Sequence, residues 1–210
     1  MTAQVDIYNF ALGNIGSSET VAGLEERSKQ ANVCNRFYPL ARDSMLADFE
    51  WPFATRYETL APLPVTADGW AYAYQYPSDC VRVLYLGAPG ALRLPSDLQQ
   101  RFEVGYGDGG QMILSDVGEA RLAYISRVED TGRFPALFVE ALSWKLAAMI
   151  AMPLTNTRTI TETAMQMAEQ ATQKAWAAAL NQSSRTTDVL DEYTAARGAG
   201  MCYHEPWRYR

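Results

Sequence analysis

Histidine is nearly missing from these 210 residues: there is one, His204. Imidazole is the side chain that most often moves protons near neutral pH. A lone imidazole six residues from the end, in a stretch without helical or strand period, lacks the packed neighbours that would position it, so catalysis at His204 is not expected. Clusters of basic residues are missing too. The formal charge is 18 Lys and Arg against 24 Asp and Glu, or −6. Without a run of cations there is no source for the counter-ion release that drives nucleic-acid binding, which excludes a DNA-gripping role. Cysteine is scarce: Cys34, Cys80 and Cys202 are odd in number and widely spaced, which argues against a disulfide framework and for reduced thiols in a cytoplasm. Long uncharged apolar runs are absent as well. Phe134 to Leu154 comes nearest, but Glu140 and Lys145 interrupt it, and it reads as a core helix rather than a bilayer span. The opening MTAQVDIYNF has no basic stretch ahead of an apolar one and does not read as a signal peptide.

Other site chemistries fail on spacing. The loop GYGDGG, residues 105–110, lacks the Gly-Lys-Ser/Thr ending of a phosphate loop, and no helix follows it. Its glycines are expected to supply the positive φ of a tight hairpin. Zinc ligands come in pairs two to four residues apart, and of Cys34, Cys80, Cys202 and His204 only the last two are near one another. The carboxylate pairs Glu25-Glu26 and Asp191-Glu192 occupy adjacent positions that point in different directions on a helix. Trp144 and Trp176 read as helix-packing residues before they read as ligand contacts. No catalytic, cofactor-binding or metal-binding residue is assigned, and no cofactor is expected.

What the sequence does have is periodicity. Val5, Tyr8, Leu12 and Ile15 share one face of a helix predicted from Ala3 to Ile15, with Thr2 to cap its start and Gly16 its end. Ala31, Cys34, Tyr38, Ala41, Met45 and Phe49 predict a second helix from about Glu25 to Phe49, bent at Pro39. Between Pro62 and Ser126 the period shortens. Strand-like runs at Trp70–Tyr76, Val81–Leu86, Arg101–Tyr106, Gln111–Leu114 and Ala120–Ser126 predict an antiparallel meander. Helix returns at Pro135, with Phe138, Ala141, Leu142, Leu146, Met149 and Ile150 as its stripe and Pro153 as its end. A fourth helix is predicted to open on a Thr159/Glu162 capping box, with Ile160, Ala164, Met167, Ala168, Ala171, Ala175 and Ala178 on one face of mostly small residues. Beyond Leu180 the period stops. The sum is an α+β chain, mainly α: a four-helix bundle from residues 1–51 and 134–180, an antiparallel β insertion subdomain over residues 52–133, and an extended C-terminal arm over residues 181–210.

Several phrases stand in a recognisable order. Ala11-Leu12-Gly13-Asn14-Ile15-Gly16 closes the first helix, Trp51-Pro52-Phe53-Ala54 closes the second, and Tyr76-Pro77-Ser78-Asp79-Cys80-Val81-Arg82-Val83 enters a strand. Tyr124 to Asp130 then leads to Phe134-Pro135-Ala136-Leu137-Phe138, and Leu146 to Thr155 follows. Over about residues 5 to 180 the chain resembles the tail tubular protein A family of short-tailed bacteriophages, the head-to-tail adaptors. The resemblance implies a non-enzymatic virion protein made in the host bacterial cytoplasm. Its copies form a ring, usually of twelve, that joins the portal protein to the tail nozzle protein and leaves a channel for genome ejection. It implies no membrane contact. It also implies that the helical bundle and C-terminal end face the portal, and that the β insertion contributes to contacts around the ring and towards the nozzle. With −6 per subunit, DNA passing the lumen is expected to be weakly repelled rather than bound.

The last thirty residues fall outside that resemblance and are read from their chemistry. In MCYHEPWRYR, Tyr203, Trp207 and Tyr209 offer aromatic area, Arg208 and Arg210 offer charge-assisted hydrogen bonds, and Pro206 stiffens the approach. Tyr203, Pro206, Trp207, Arg208, Tyr209 and Arg210 are therefore the expected portal-docking arm. The competing expectation for the whole chain is a cytoplasmic zinc or small-ligand binding module.

Overall fold

The computed structural model describes residues 2–64, 69–88, 99–107 and 109–182. Among the described residues the chain is α+β, with four helices and two three-stranded antiparallel sheets. The elements run α1 (Gln4–Asn14), α2 (Lys29–Asp48), β1 (Thr55–Thr59), β2 (Tyr72–Gln75), β3 (Cys80–Gly87), β4 (Phe102–Gly107), β5 (Gly110–Ser115), β6 (Arg121–Ser126), α3 (Ala136–Thr155) and α4 (Arg158–Gln182).

Helix ends explain most of the boundary corrections. At the start of α1 the Asp6 carboxylate accepts the Ala3 N–H at 2.7 Å, so Ala3, not Thr2, is the capping position. Its far end follows the expectation. Gly16 stands at φ +78°, while the Ser17 and Gly16 amides return to the Leu12 and Gly13 carbonyls, the paired bonds of a Schellman end. Helix α2 starts at Lys29 rather than Glu25 because the Ser28 hydroxyl accepts the Ala31 N–H at 3.2 Å. Pro39 lies inside α2 on its exposed side. Helix α3 does not end at Pro153; it runs two residues further and stops where Asn156 turns left-handed at φ 51°. The Thr159/Glu162 box does not form. Thr159 is already inside α4, and the Glu162 carboxylate accepts from Arg158 one turn back at 2.7 Å.

The strands are no meander. One sheet has the order β1-β6-β3 and the other β2-β5-β4, so only β4 and β5 are neighbours both in sequence and in space. Strand β1, Thr55-Arg56-Tyr57-Glu58-Thr59, pairs with β6 from Thr55 opposite Ile125 to Thr59 opposite Arg121, and no strand was expected there. Among the described residues of the hairpin only Gly110 has positive φ, at +102°. Gly105 and Gly107 serve packing instead. A Cβ on Gly105 would meet Leu114 Cδ1 at 3.0 Å, and one on Gly107 would displace the movable end of Met112.

Helix α3 is the one the others lean on: it packs along α4 and touches both α1 and α2, while α1 and α2 meet mainly where Tyr8 sits edge-on to Tyr38. Nine of its residues are buried, including Phe138, Leu142, Leu146 and Ile150. It is long and apolar enough to cross a membrane by length and composition, and half of it is buried against the rest of the fold. Ala164, Ala171 and Ala175 of α4 are buried as expected, with Ala179 taking the place foreseen for Ala178. The first sheet is covered on both faces. Ile125, Val81 and Leu84 join the helical core, whereas Leu122, Tyr124, Leu86 and Val83 pack with Tyr74 and Ile113 of the second sheet.

Aromatic rings hold the join between α2 and β1. Trp51 is 1% exposed and lies edge-on to Phe49 and Phe138, with Phe53 and Phe134 closing the group. Its indole N–H donates to the Met45 carbonyl at 2.8 Å. The Arg82 guanidinium donates to the Ala47 carbonyl at 3.1 Å. Helix α2 has no C-terminal glycine, and these two side chains satisfy carbonyls its last turn leaves without helical partners.

Candidate functional site

Tyr203, Pro206, Trp207, Arg208, Tyr209 and Arg210 lie outside the described residues, as do Cys202, His204, Asp191 and Glu192. The remaining sequence candidates are placed apart. Cys34 is buried in the helical core beside α1, and Cys80 packs half-buried in the cluster between the two sheets. Glu25 and Glu26 do not act as a pair. The Glu26 carboxylate accepts the Ala22 N–H at 2.7 Å, and that bond, helped by the Ser28 side chain, holds its carboxyl below the usual range. Trp176 stacks on Phe49 at 5.6 Å, and Trp144 borders a groove between α1 and α3. Among the described residues no three His, Cys, Asp or Glu side chains converge in a way that could hold a metal ion.

A polar network joins the strands of the first sheet. The Tyr124 hydroxyl lies 3.0 Å from both Glu58 Oε2 and Asp79 Oδ1, and Arg56 Nη1 reaches the other Asp79 oxygen at 3.0 Å. Arg56 and Tyr124 are register partners on β1 and β6, which is why the sequence brings them together only once the sheet exists. Burial, then the hydrogen bonds to Glu58 and Asp79, push the Tyr124 phenol well above its ordinary range. A phenol held neutral this way is a structural donor, not a nucleophile.

Other buried groups behave alike. Burial pushes the Cys34 thiol up to about 11 and the Tyr38 phenol up to about 12, and it raises Tyr8 and Tyr76 as well. In each case the folded value exceeds the unfolded one, so the neutral form is what the fold favours. The associated stability is complete below the ordinary values and is lost as pH rises through the folded ones. Urea unfolding across pH is therefore expected to show a free energy steady to about pH 9 and falling through about 11 and 12. Tyr38→Phe should shrink that fall. It should also be neutral or stabilising at pH 7, because the Tyr38 hydroxyl is buried with no hydrogen-bond partner. A free energy equally steady at pH 12 in the parent protein would overturn the assignment.

Grooves and exposed aromatics mark the rest of the described surface. The α1/α3 groove, about 520 Å³, is bordered by Phe10, Val139 and Trp144 with Asn14, Glu140 and Ser143. Phe10 is 52% exposed. Asn14 Nδ2 donates to Ser143 Oγ at 3.3 Å across its floor. A second groove, about 750 Å³, lies between the ends of α2 and α4 and the helix-facing side of the first sheet. On the second sheet, Tyr72 and Tyr106 are exposed, Tyr106 at 76%. Sequence reasoning missed the second groove because its floor includes Tyr57 on the unforeseen strand β1. The available signal was the alternation in Thr55-Arg56-Tyr57-Glu58-Thr59, with β-favouring Thr and Tyr at every second position.

No protein-family model matches the chain, and no curated protein matches it.

Proposed function

We propose that this chain is a structural virion subunit of the tail tubular protein A kind. In this reading its copies form a ring between a portal and a tail nozzle and leave a channel for DNA. The four helices act as a bundle facing the portal, the β region contributes to contacts around the ring, and residues 203–210 are the docking arm. The reading is carried by the order of the resembling phrases: Ala11–Gly16 at the Schellman end of α1, Trp51–Ala54 at the α2 to β1 join, Tyr76–Val83 at the entry to β3, Tyr124–Asp130 leading from β6 to Phe134–Phe138 at the start of α3, and Leu146–Thr155 closing α3.

Two surface features support it. A closed ring of identical copies needs two different patches per subunit, each complementary to the other, because head-to-tail contacts are heterologous. The α1/α3 groove with Phe10 and the second sheet's Tyr72 and Tyr106 lie on separate layers and are candidates for such patches. The net charge of −6 suits a lumen through which DNA slides.

Electron microscopy of the protein mixed with its portal tests the reading. A ring of density at the portal's narrow end is the expected image. Failure to join the portal, with stoichiometric zinc in the purified protein, would favour the binding-module reading instead.

A further inference from the structure

We propose that the outer edge of β1 pairs with the same strand of a second copy of this chain, antiparallel about a two-fold axis at Tyr57. The backbone settles which groups that edge offers. Just beyond the two ends of β1, the Ser126 N–H donates to the Ala54 carbonyl at 2.8 Å and the Leu60 N–H to the Ala120 carbonyl at 2.9 Å. Hydrogen-bonded pairs alternate along an antiparallel ladder, so Arg56 and Glu58 also turn their amides and carbonyls towards β6. Thr55, Tyr57 and Thr59 turn theirs away from the sheet. The Thr55 N–H is taken by the Trp51 carbonyl at 2.9 Å. The Thr55 carbonyl and both backbone groups of Tyr57 and Thr59 have no hydrogen-bond partner among the described residues. The outer sides of β2 and β3 are less open. Ala61 and Leu63 bond to Gln75 and Ala73 of β2, and the Gln100 N–H donates to Leu86 of β3.

The side chains of β1 select a second copy of itself as the occupant. Charge of one sign along an open edge repels another edge of the same kind. The sequence here is Thr-Arg-Tyr-Glu-Thr, which is complementary to itself when reversed. With Tyr57 opposite Tyr57, Arg56 of each copy faces Glu58 of the other, and Thr55 faces Thr59. Both charged groups have capacity left: Arg56 is 52% exposed and reaches Asp79 through Nη1, and Glu58 receives the Tyr124 hydroxyl on Oε2. The same register satisfies the backbone. The two Tyr57 residues exchange N–H and carbonyl bonds, and each Thr59 N–H meets the Thr55 carbonyl of the other copy, the group Thr55 has to spare. The Tyr57 rings, each 36% exposed, then lie side by side. A two-fold contact closes on itself, so it makes a dimer and not a head-to-tail ring. The pairing belongs to the protein outside such a ring, and the proposal does not rest on the adaptor reading.

Sedimentation equilibrium of the full-length protein tests it without any portal. So short a contact should give a monomer–dimer equilibrium with a Kd on the order of 100 µM, weaker as salt is raised. Arg56→Glu and Glu58→Arg each set like charges opposite one another in the paired copies, and each should weaken self-association about tenfold or more at unchanged circular dichroism. Mixing the two variants puts opposite charges across both positions again and should bring back dimers containing one copy of each. Tyr57→Pro removes an amide that points away from β6, so it should spare the sheet and abolish the dimer. A parent protein monomeric up to about 1 mM would overturn the proposal. So would association unmoved by either charge reversal, or folded variants that stay monomeric when mixed. Assembly beyond the dimer would overturn it too, because the edge would then belong to a different strand of the next copy.

Discussion

Replacing Trp51 with alanine is expected to lower the unfolding free energy by ~3–5 kcal/mol, the largest loss of any single substitution in the helical part. The indole is 1% exposed and touches rings from three places in the chain: Phe49 before it, Phe53 after it, and Phe138 more than eighty residues away. Alanine would leave a cavity walled by aromatic rings, which do not collapse inward easily. It would also remove the donor to the Met45 carbonyl, exposing an unsatisfied acceptor at the end of α2. For a chain of this length the melting temperature should fall by roughly 6–20 °C. Tyr106→Ala, at a site 76% exposed, is the matched control and should stay within about 0.5 kcal/mol of the parent. A Trp51→Ala loss no larger than the control's would mean the α2 to β1 join is not the anchor the ring contacts indicate.

How far the sequence reveals this molecule depends on which physical quantity each residue encodes. Helix faces are written locally, every three or four residues. Ala31, Cys34, Tyr38, Ala41 and Met45 are all buried in α2, and Gly16 does close α1. Caps are written in single side chains that compete, so Ser28 displaced an expected start at Glu25, and Asp6 did the work expected of Thr2. Strand partners are not written locally at all. The apolar run within Arg121–Ser126 marks a strand, but nothing near it says that it lies between β1 and β3. The same limit hid the Tyr124, Glu58 and Asp79 network, whose members are up to 66 residues apart. The glycines of GYGDGG were read for φ, although two of them are small because Met112 and Leu114 lie across them from the facing strand. The groove between the ends of α2 and α4 was out of reach for the same reason, being assembled from α2, β1, β3 and α4 together.

Deleting Tyr203–Arg210 is expected to abolish stable attachment to the portal while leaving the melting temperature unchanged. If Tyr203, Trp207 and Tyr209 each cover 150–250 Å² on a partner at ~25 cal/mol per Å², the gross gain is on the order of 10 kcal/mol per arm. Ordering eight residues offsets most of it, leaving a modest net affinity for one arm. Arms fixed on one ring act together at high effective concentration, so modest affinities sum to durable attachment. Trp207→Ala should remove ~2–4 kcal/mol per arm, a loss of roughly 30- to 1,000-fold in single-subunit affinity for the portal. Portal affinity unchanged by the deletion, together with a lowered melting temperature, would mean that the arm covers apolar surface on its own subunit and that the portal is held by other residues.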